Sequence, residues 1–242
     1  MGKRSDPPRD HSKTSNIDPT SATSHFNPAL KFLITQSRHP LLWPAWVNET
    51  TLGHVVELNS QLLEAMLRYT GTAARLIPGQ PRFEVPKALQ ALSAPERLRL
   101  AKVRVVLLEA GFDNADLWSQ VQRQSSNTQM EDSAWVDGYD LHALARSLYT
   151  LAWHLVQLDP DAAGVMLGMK KKTAEIFAGF SLRDLERVVV QRSQWVRPRW
   201  EAIPKRWIEL IQMARTDSDS ALEARTFQLL CGDLLETHNK AM

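Results

Sequence analysis

The stretch over residues 159–192, DPDAAGVMLGMKKKTAEIFAGFSLRDLERVVVQR, narrows the possible folds more than any other part of the chain. Asp159 is an N-cap candidate followed by Pro160, whose fixed φ and missing N–H suit the first helical position. Ala162, Ala163, Val165, Met166 and Leu167 then supply a compact apolar helix. Gly168 permits a sharp turn, because glycine takes positive φ without steric penalty. A second short helix is expected over 170–177, with Met169, Ala174 and Phe177 on one face. Ser181 caps a third, in which Leu182, Leu185, Val188 and Val189 recur at helical spacing.

Gly164, then Leu167-Gly168-Met169, then Thr173-Ala174 and Phe177 have the spacing of a helix-turn-helix. The small residue lets two helices touch and the glycine makes the corner between them. The same spacing also suits an ordinary helical hairpin in a core. Lys170, Lys171, Lys172 and Thr173 open the second helix, where base or phosphate contacts would fall. A solvated helix end carries lysines as well.

The charge of the whole chain does not decide between these. A net charge of +2 and a pI near 8.7 are mildly basic, so affinity for nucleic acid has to come from local patches. At 242 residues the chain is long enough for one domain or two small ones, and 43% hydrophobic residues suffice for a core. The single cysteine, Cys231, excludes an intrachain disulfide framework and a cysteine-based zinc site. No run of 18 or more apolar residues occurs and the N-terminus lacks a signal-peptide core, so a cytoplasmic protein without membrane contact is expected.

Every apolar segment has a period near 3.6 and none alternates with period 2, which predicts an all-α, multi-helix fold. Residues 1–27 are rich in Ser, Thr, Pro and mixed charge and read as a disordered tail. A helical domain is expected over 28–123. It begins with a short helix from Pro28 and a dense cluster from Leu41 to Val47, followed by a long helix over 50–69. Pro78-Gly79 and further prolines mark 71–86 as a loop. Ser93 with Glu96 three residues on is a capping-box signature, and a helix is expected from Pro95 to about Ala110. Its Arg97, Arg99, Lys102 and Arg104 form a basic face of the kind that is usually solvated. After Gly111 another short helix is expected over 113–122. Residues 124–132, QSSNTQMED, are polar and aperiodic and read as the linker between two lobes, the second covering 133–242.

In the second lobe a strongly apolar helix is expected over 141–158. Leu141, Leu144, Leu148, Leu151 and Leu155 follow the 3-4 spacing, while Tyr149 and Trp153 lie off that stripe. A helix apolar on two faces either sits at the centre of its domain or pairs with another chain. The surplus favours pairing, with Leu141, Leu148, Tyr149, Trp153 and Leu155 as the oligomer or partner interface.

Beyond residue 192, Trp195, Trp200 and Trp207 are interleaved with Arg192, Arg197, Arg199, Lys205 and Arg206. Guanidiniums stacked on indoles bind phosphates while partly desolvated. Alternatively, the indoles cap the core and the arginines extend past them to water. A terminal helix is expected over 221–235. Catalytic signatures are missing: the seven histidines are scattered, and the chain has no phosphate-cradling glycine loop, nucleophile elbow or CxxC pair. No enzyme activity, cofactor or metal is expected.

The segment from Tyr139-Asp140-Leu141 through Leu167-Gly168-Met169 to Arg197-Pro198-Arg199-Trp200 resembles the D subunit of the bacterial flagellar master transcription regulator, the FlhD type. The shared pattern is a YD-type start, a long apolar helix, an aspartate followed by small residues, LG-hydrophobic, and an aromatic-rich basic end. Leu167, Gly168, Ala174, Ala178, Leu182 and Arg199 are literal identities. The resemblance spans roughly residues 139–200. It implies a transcription activator that binds double-stranded DNA in a hetero-oligomer with a zinc-binding, FlhC-like C subunit; related pairs occur on mobile genetic elements. The first hundred or so residues have no counterpart in that subunit, and Lys170–Lys172 stand where it is largely acidic.

Two functions from different classes follow: a helical transcription regulator working with a second protein, and a helical adaptor or assembly component, such as a cytoplasmic part of a secretion apparatus, that never touches DNA. Lys170–Lys172 gathered with Arg197, Arg199 and Arg206 on one surface would favour the first. Dispersed charges and an exposed apolar groove would favour the second.

Overall fold

The computed structural model describes residues 49–68, 85–123 and 138–239. The expected tail, the short helix from Pro28, the cluster over 41–47, the polar stretch 124–132 and most of the 71–86 loop lie outside the described residues.

Helix α1 (Glu49–Arg68) opens with an acid and closes with a base, both complementary to its dipole, and buries Val55, Leu58, Leu62, Leu63 and Met66 on one face. A short α2 (Val85–Gln90) takes in the last two residues of the expected loop. Helix α3 (Ala94–Ala101) starts on the expected capping box: Ser93 accepts from the Glu96 amide and the Glu96 carboxylate accepts from the Ser93 amide at 2.6 Å.

The helix expected to run on to Ala110 stops at Ala101 instead, and Asn59 supplies the reason. This buried side chain on α1 donates to the carbonyls of Ala101, Val103 and Val105 at 3.1, 3.4 and 3.0 Å, and accepts from the Leu107 amide at 2.9 Å. Its amide takes the backbone groups that a continuing helix would have paired. The β-branched run Val103, Val105 and Val106 then adopts an irregular buried path into strand β1 (Leu108–Glu109). Arg99 holds the other side of this turn, donating to the carbonyls of Ala214 and Asp217 and to the Asp219 carboxylate.

Helix α4 (Ala115–Arg123) follows, with the Asn114 side chain accepting from the Leu117 amide at 3.1 Å. Helix α5 (Gly138–Leu158) is the central element, packed against α1 and against the next three helices, α6 (Pro160–Leu167), α7 (Lys171–Ala178) and α8 (Leu182–Arg192). A 3-10 turn over Ser193–Trp195 leads into strand β2 (Arg197–Pro198), which pairs antiparallel with β1 in the register Leu108–Pro198 and Glu109–Arg197. Helices α9 (Pro204–Thr216) and α10 (Asp219–Asn239) complete the order. The architecture is all-α with a minimal two-strand ladder.

All described residues fall within one compact unit, and one hydrophobic core runs from Val55 to Leu229. The two lobes expected on either side of 124–132 therefore share their interior. An aromatic group makes the join. The Trp118 ring of α4 lies 4.7 Å from that of Phe177 on α7 and 5.7 Å from that of Tyr149 on α5, both edge-on, with Phe112 and Trp195 beside them.

The pairing interface expected on α5 is corrected by the same packing. Leu148, Tyr149 and Leu155 are fully buried within the single chain and Leu141 nearly so. The Tyr149 hydroxyl donates to the Arg192 carbonyl at 2.8 Å, and burial pushes its ionisation well above the usual phenol range. Only Trp153 stays partly exposed, its indole N–H donating to the Phe180 carbonyl at 2.9 Å. The second apolar face of α5 faces α1 and the α7–α8 turn of its own chain, which is what a central helix requires.

Candidate nucleic-acid interface

Helices α6 and α7 form the pair of short helices with a glycine corner that the spacing predicts. Asp159 caps α6, accepting from the amides of Asp161 and Ala162 at 2.8 and 3.1 Å, with Pro160 in the first turn. Gly164 faces the turn so closely that a Cβ there would lie 3.3 Å from the Met169 carbonyl oxygen. Gly168 makes the corner at φ 64°, ψ 29°. A Cβ on Gly168 would meet Arg199 Nη1 at 2.8 Å and Leu230 Cδ1 at 3.2 Å, so glycine is required both for the left-handed backbone and for the close approach.

Three bonds from distant parts of the chain fix the corner. The Val106 amide donates to the Met166 carbonyl at 3.0 Å, the Lys170 amide donates to the Phe112 carbonyl at 3.1 Å, and Arg199 Nη2 donates to the Leu167 carbonyl at 2.7 Å. Arg199 also donates through Nε to Val106 and through Nη2 to Leu108, at 3.0 and 3.2 Å. With 5% of its surface exposed it sits inside the fold, at the negative end of α6, and is not available to a phosphate. The expectation of an Arg199 contact with DNA is corrected on this ground.

Helix α7 presents Lys171, Lys172, Glu175 and Ala178 to solvent and buries Thr173, Ala174, Ile176 and Phe177. Thr173 is thus a core residue and not a surface contact; its Oγ1 is buried with no hydrogen-bond partner. Lys170 is half-buried, in extended backbone at the N-cap, and no side chain accepts from the first-turn amides of α7. Lys172 Nζ lies 3.5 Å from Asp116 Oδ1 of α4, but the two side chains are 64% and 88% exposed. Such a pair contributes little, about 0–1 kcal/mol, and yields readily to a phosphate.

The arginine–tryptophan segment resolves toward the core. Trp200 and Trp207 are buried, and the Trp207 indole N–H donates to the Arg199 carbonyl at 2.6 Å. Arg192 is buried with its guanidinium 4.9 Å from the Trp195 ring, which removes it from the candidate surface. Arg206 lies 5.9 Å from the Trp200 ring, and Lys205 is exposed in the first turn of α9. Arg197 is exposed on β2, where its Nε donates to Glu109 Oε1 at 2.8 Å. Glu201 also acts on it: partial burial raises that carboxyl, opposed by the Arg197 charge. Buried Arg192 and Arg199 cannot join the lysines on a surface, so the basic face expected of the full set is incomplete, and the lysine run is what α7 itself exposes.

Sequence reasoning passed over Glu175, which the i,i+4 relation to Lys171 would have placed beside the lysines. It also passed over the exposed face of α8, where Leu182 and Val190 are 65% and 62% exposed. The two are separate spots, about 80° apart around the helix with exposed Glu186 between them, and Leu182 is exposed because it opens the helix. Among the described residues no group of three or more His, Cys, Asp or Glu side chains is placed to hold a metal, and no helix is long and apolar enough to cross a membrane.

Comparison with known proteins gives no match to a protein-family model, to a curated protein or to a solved structure.

Proposed function

We propose that this chain is a DNA-binding transcription regulator in which α7 enters the major groove, acting as an activator subunit with a second protein such as a zinc-binding C-type subunit. The observation that carries this reading is that the surface charge of α7 runs against its own dipole. Lysines occupy the positive N-terminal end, which lacks a side-chain cap, and Glu175 occupies the negative C-terminal turn. Each such placement disfavours an isolated helix by about 0.3–1 kcal/mol. A lysine pair beside uncapped backbone N–H groups, on the outer helix of a glycine-cornered pair, is instead suited to a phosphate backbone.

The adaptor reading rests on two other observations: buried Arg192 and Arg199 break up the basic surface expected of a DNA-binding face, and Leu182 and Val190 of α8 are exposed apolar side chains. A protein contact there also serves a regulator that works with a partner. The two functions separate on DNA binding. Binding of duplex DNA by the full chain, with and without the candidate second subunit, is measured across a salt series. A log–log slope that falls by about 2 in the Lys171→Ala/Lys172→Ala double variant supports the regulator. No duplex binding at any salt concentration, in either condition, leaves the adaptor.

A further inference from the structure

We infer that Glu175 sets base preference in the DNA site by accepting from an exposed amino group in the major groove, cytosine N4 first. This rests on the reading of α7 as the groove-entering helix and assigns it a sequence readout beyond phosphate attachment.

Glu175 lies on the outward strip of α7, four residues after Lys171, three after Lys172 and three before Ala178. It is exposed, and among the described residues no ion pair engages it. In the last turn of its helix it faces the negative end of the dipole. Its i,i+4 and i,i+3 spacing to Lys171 and Lys172 supports the helix by only about 0.2–0.5 kcal/mol, and no direct ion pair among the described residues holds the carboxylate, so it stays open to a partner outside the chain.

Against DNA, a carboxylate on this strip meets a surface of phosphates and of base acceptors. Guanine N7 and O6 and thymine O4 repel it. The groove-edge donors are cytosine N4 and adenine N6. Adenine offers N6–H beside the N7 acceptor and so suits a side chain that both donates and accepts, such as an amide; cytosine offers its amino group alone and suits an acceptor. The lysines one turn earlier carry attachment that is indifferent to sequence, and Glu175 makes that attachment conditional on the base beneath it. Its repulsion also lowers affinity for every site without the donor.

The experiment is selection of bound duplexes from a randomised library by the full chain and by Glu175→Gln and Glu175→Ala, each checked by circular dichroism for an unchanged fold. Wild type is expected to enrich cytosine at one position by about five- to hundredfold. Glu175→Gln is expected to move that preference to adenine. Glu175→Ala is expected to lose it and to hold non-specific duplex more tightly at low salt. Identical enriched sequences from all three proteins overturn the inference while leaving DNA binding by α7 in place. Failure of the wild type to retain any duplex overturns the inference together with the reading beneath it.

Discussion

Arg199 and Leu167 are 32 residues apart in sequence, and the guanidinium of the first donates to the carbonyl of the second at 2.7 Å. That one bond places a cation at the C-terminal end of α6 and ties the α6–α7 corner to the β1–β2 ladder, through the further bonds of Arg199 to Val106 and Leu108. A buried charge is tolerated here because its donors meet carbonyl oxygens at the negative end of a helix.

Arg199→Lys keeps the charge and loses the planar fork that reaches three carbonyls at once. It is expected to destabilise the fold by about 3 kcal/mol, from hydrogen bonds of a charged donor and carbonyls left unpaired. Urea denaturation reads this directly. A phosphate-contacting arginine would behave in the opposite way: stability would hold and the salt slope of DNA binding would fall by about 0.9.

Gly168→Ala has to fit a Cβ at φ 64° and within 2.8 Å of Arg199 Nη1. The expected loss is about 2 kcal/mol or more, from backbone strain and displacement of the guanidinium. At Gly53, within α1, an added methyl group would have nothing within 4 Å, so Gly53→Ala is expected to gain up to about 1 kcal/mol. Thermal unfolding of the two variants should shift in opposite directions.

Helix α7 lacks the cap that its neighbours have. Ser181 at the start of α8 has φ −81°, ψ 166°, and Lys170 at the start of α7 has φ −72°, ψ 148°. Lys170→Ser therefore meets a backbone already shaped for capping and is expected to stabilise the fold by about 1 kcal/mol, while Ser181→Ala loses about as much. If α7 serves DNA, Lys170→Ser should raise the melting temperature and weaken duplex binding together. A gain in stability with unchanged binding would remove Lys170 from the interface.

The capping boxes fix the sign of an acid response. Hydrogen bonds from Ser181, side chain first and then backbone, hold the Asp184 carboxyl below its ordinary range; those from Ser93 do the same for Glu96. With the folded value depressed, the unfolded chain binds more protons near pH 4, so stability rises with pH through the carboxylate range and is complete above it. It is lost as pH falls through the folded values. Asp184→Asn should flatten the acid limb of a stability–pH curve and leave the neutral plateau lower by less than about 1 kcal/mol.

The helices were legible where local rules govern them. Ser93 with Glu96, Asp159 with Pro160, and Ser181 each start the helix expected of them, and Gly164 with Gly168 marks the corner. Reading failed where a distant side chain overrides local preference. Nothing near Ala101 announces that Asn59, 42 residues earlier, takes its carbonyl and ends the helix. Arg199 looks like its neighbours Arg197 and Arg206 in sequence, because charge alone predicts a solvated side chain. Only the fold reveals that this one points toward α6. For α5, two apolar faces are equally compatible with a central position and with a partner chain, and burial by α1 decides between them.

The ladder that pairs Leu108 with Pro198, with Arg199 bonded across 93 residues to Val106, also bears on the order of assembly. Contacts of such span close a long loop, and they form late compared with a neighbouring helix pair. During synthesis from the N-terminus, α6 and α7 emerge before the arginine that fastens them and before Leu230, which packs at the same glycine. The corner is thus written early and locked late, so a nascent chain that stops short of α10 holds its α6–α7 pair in a loosened form.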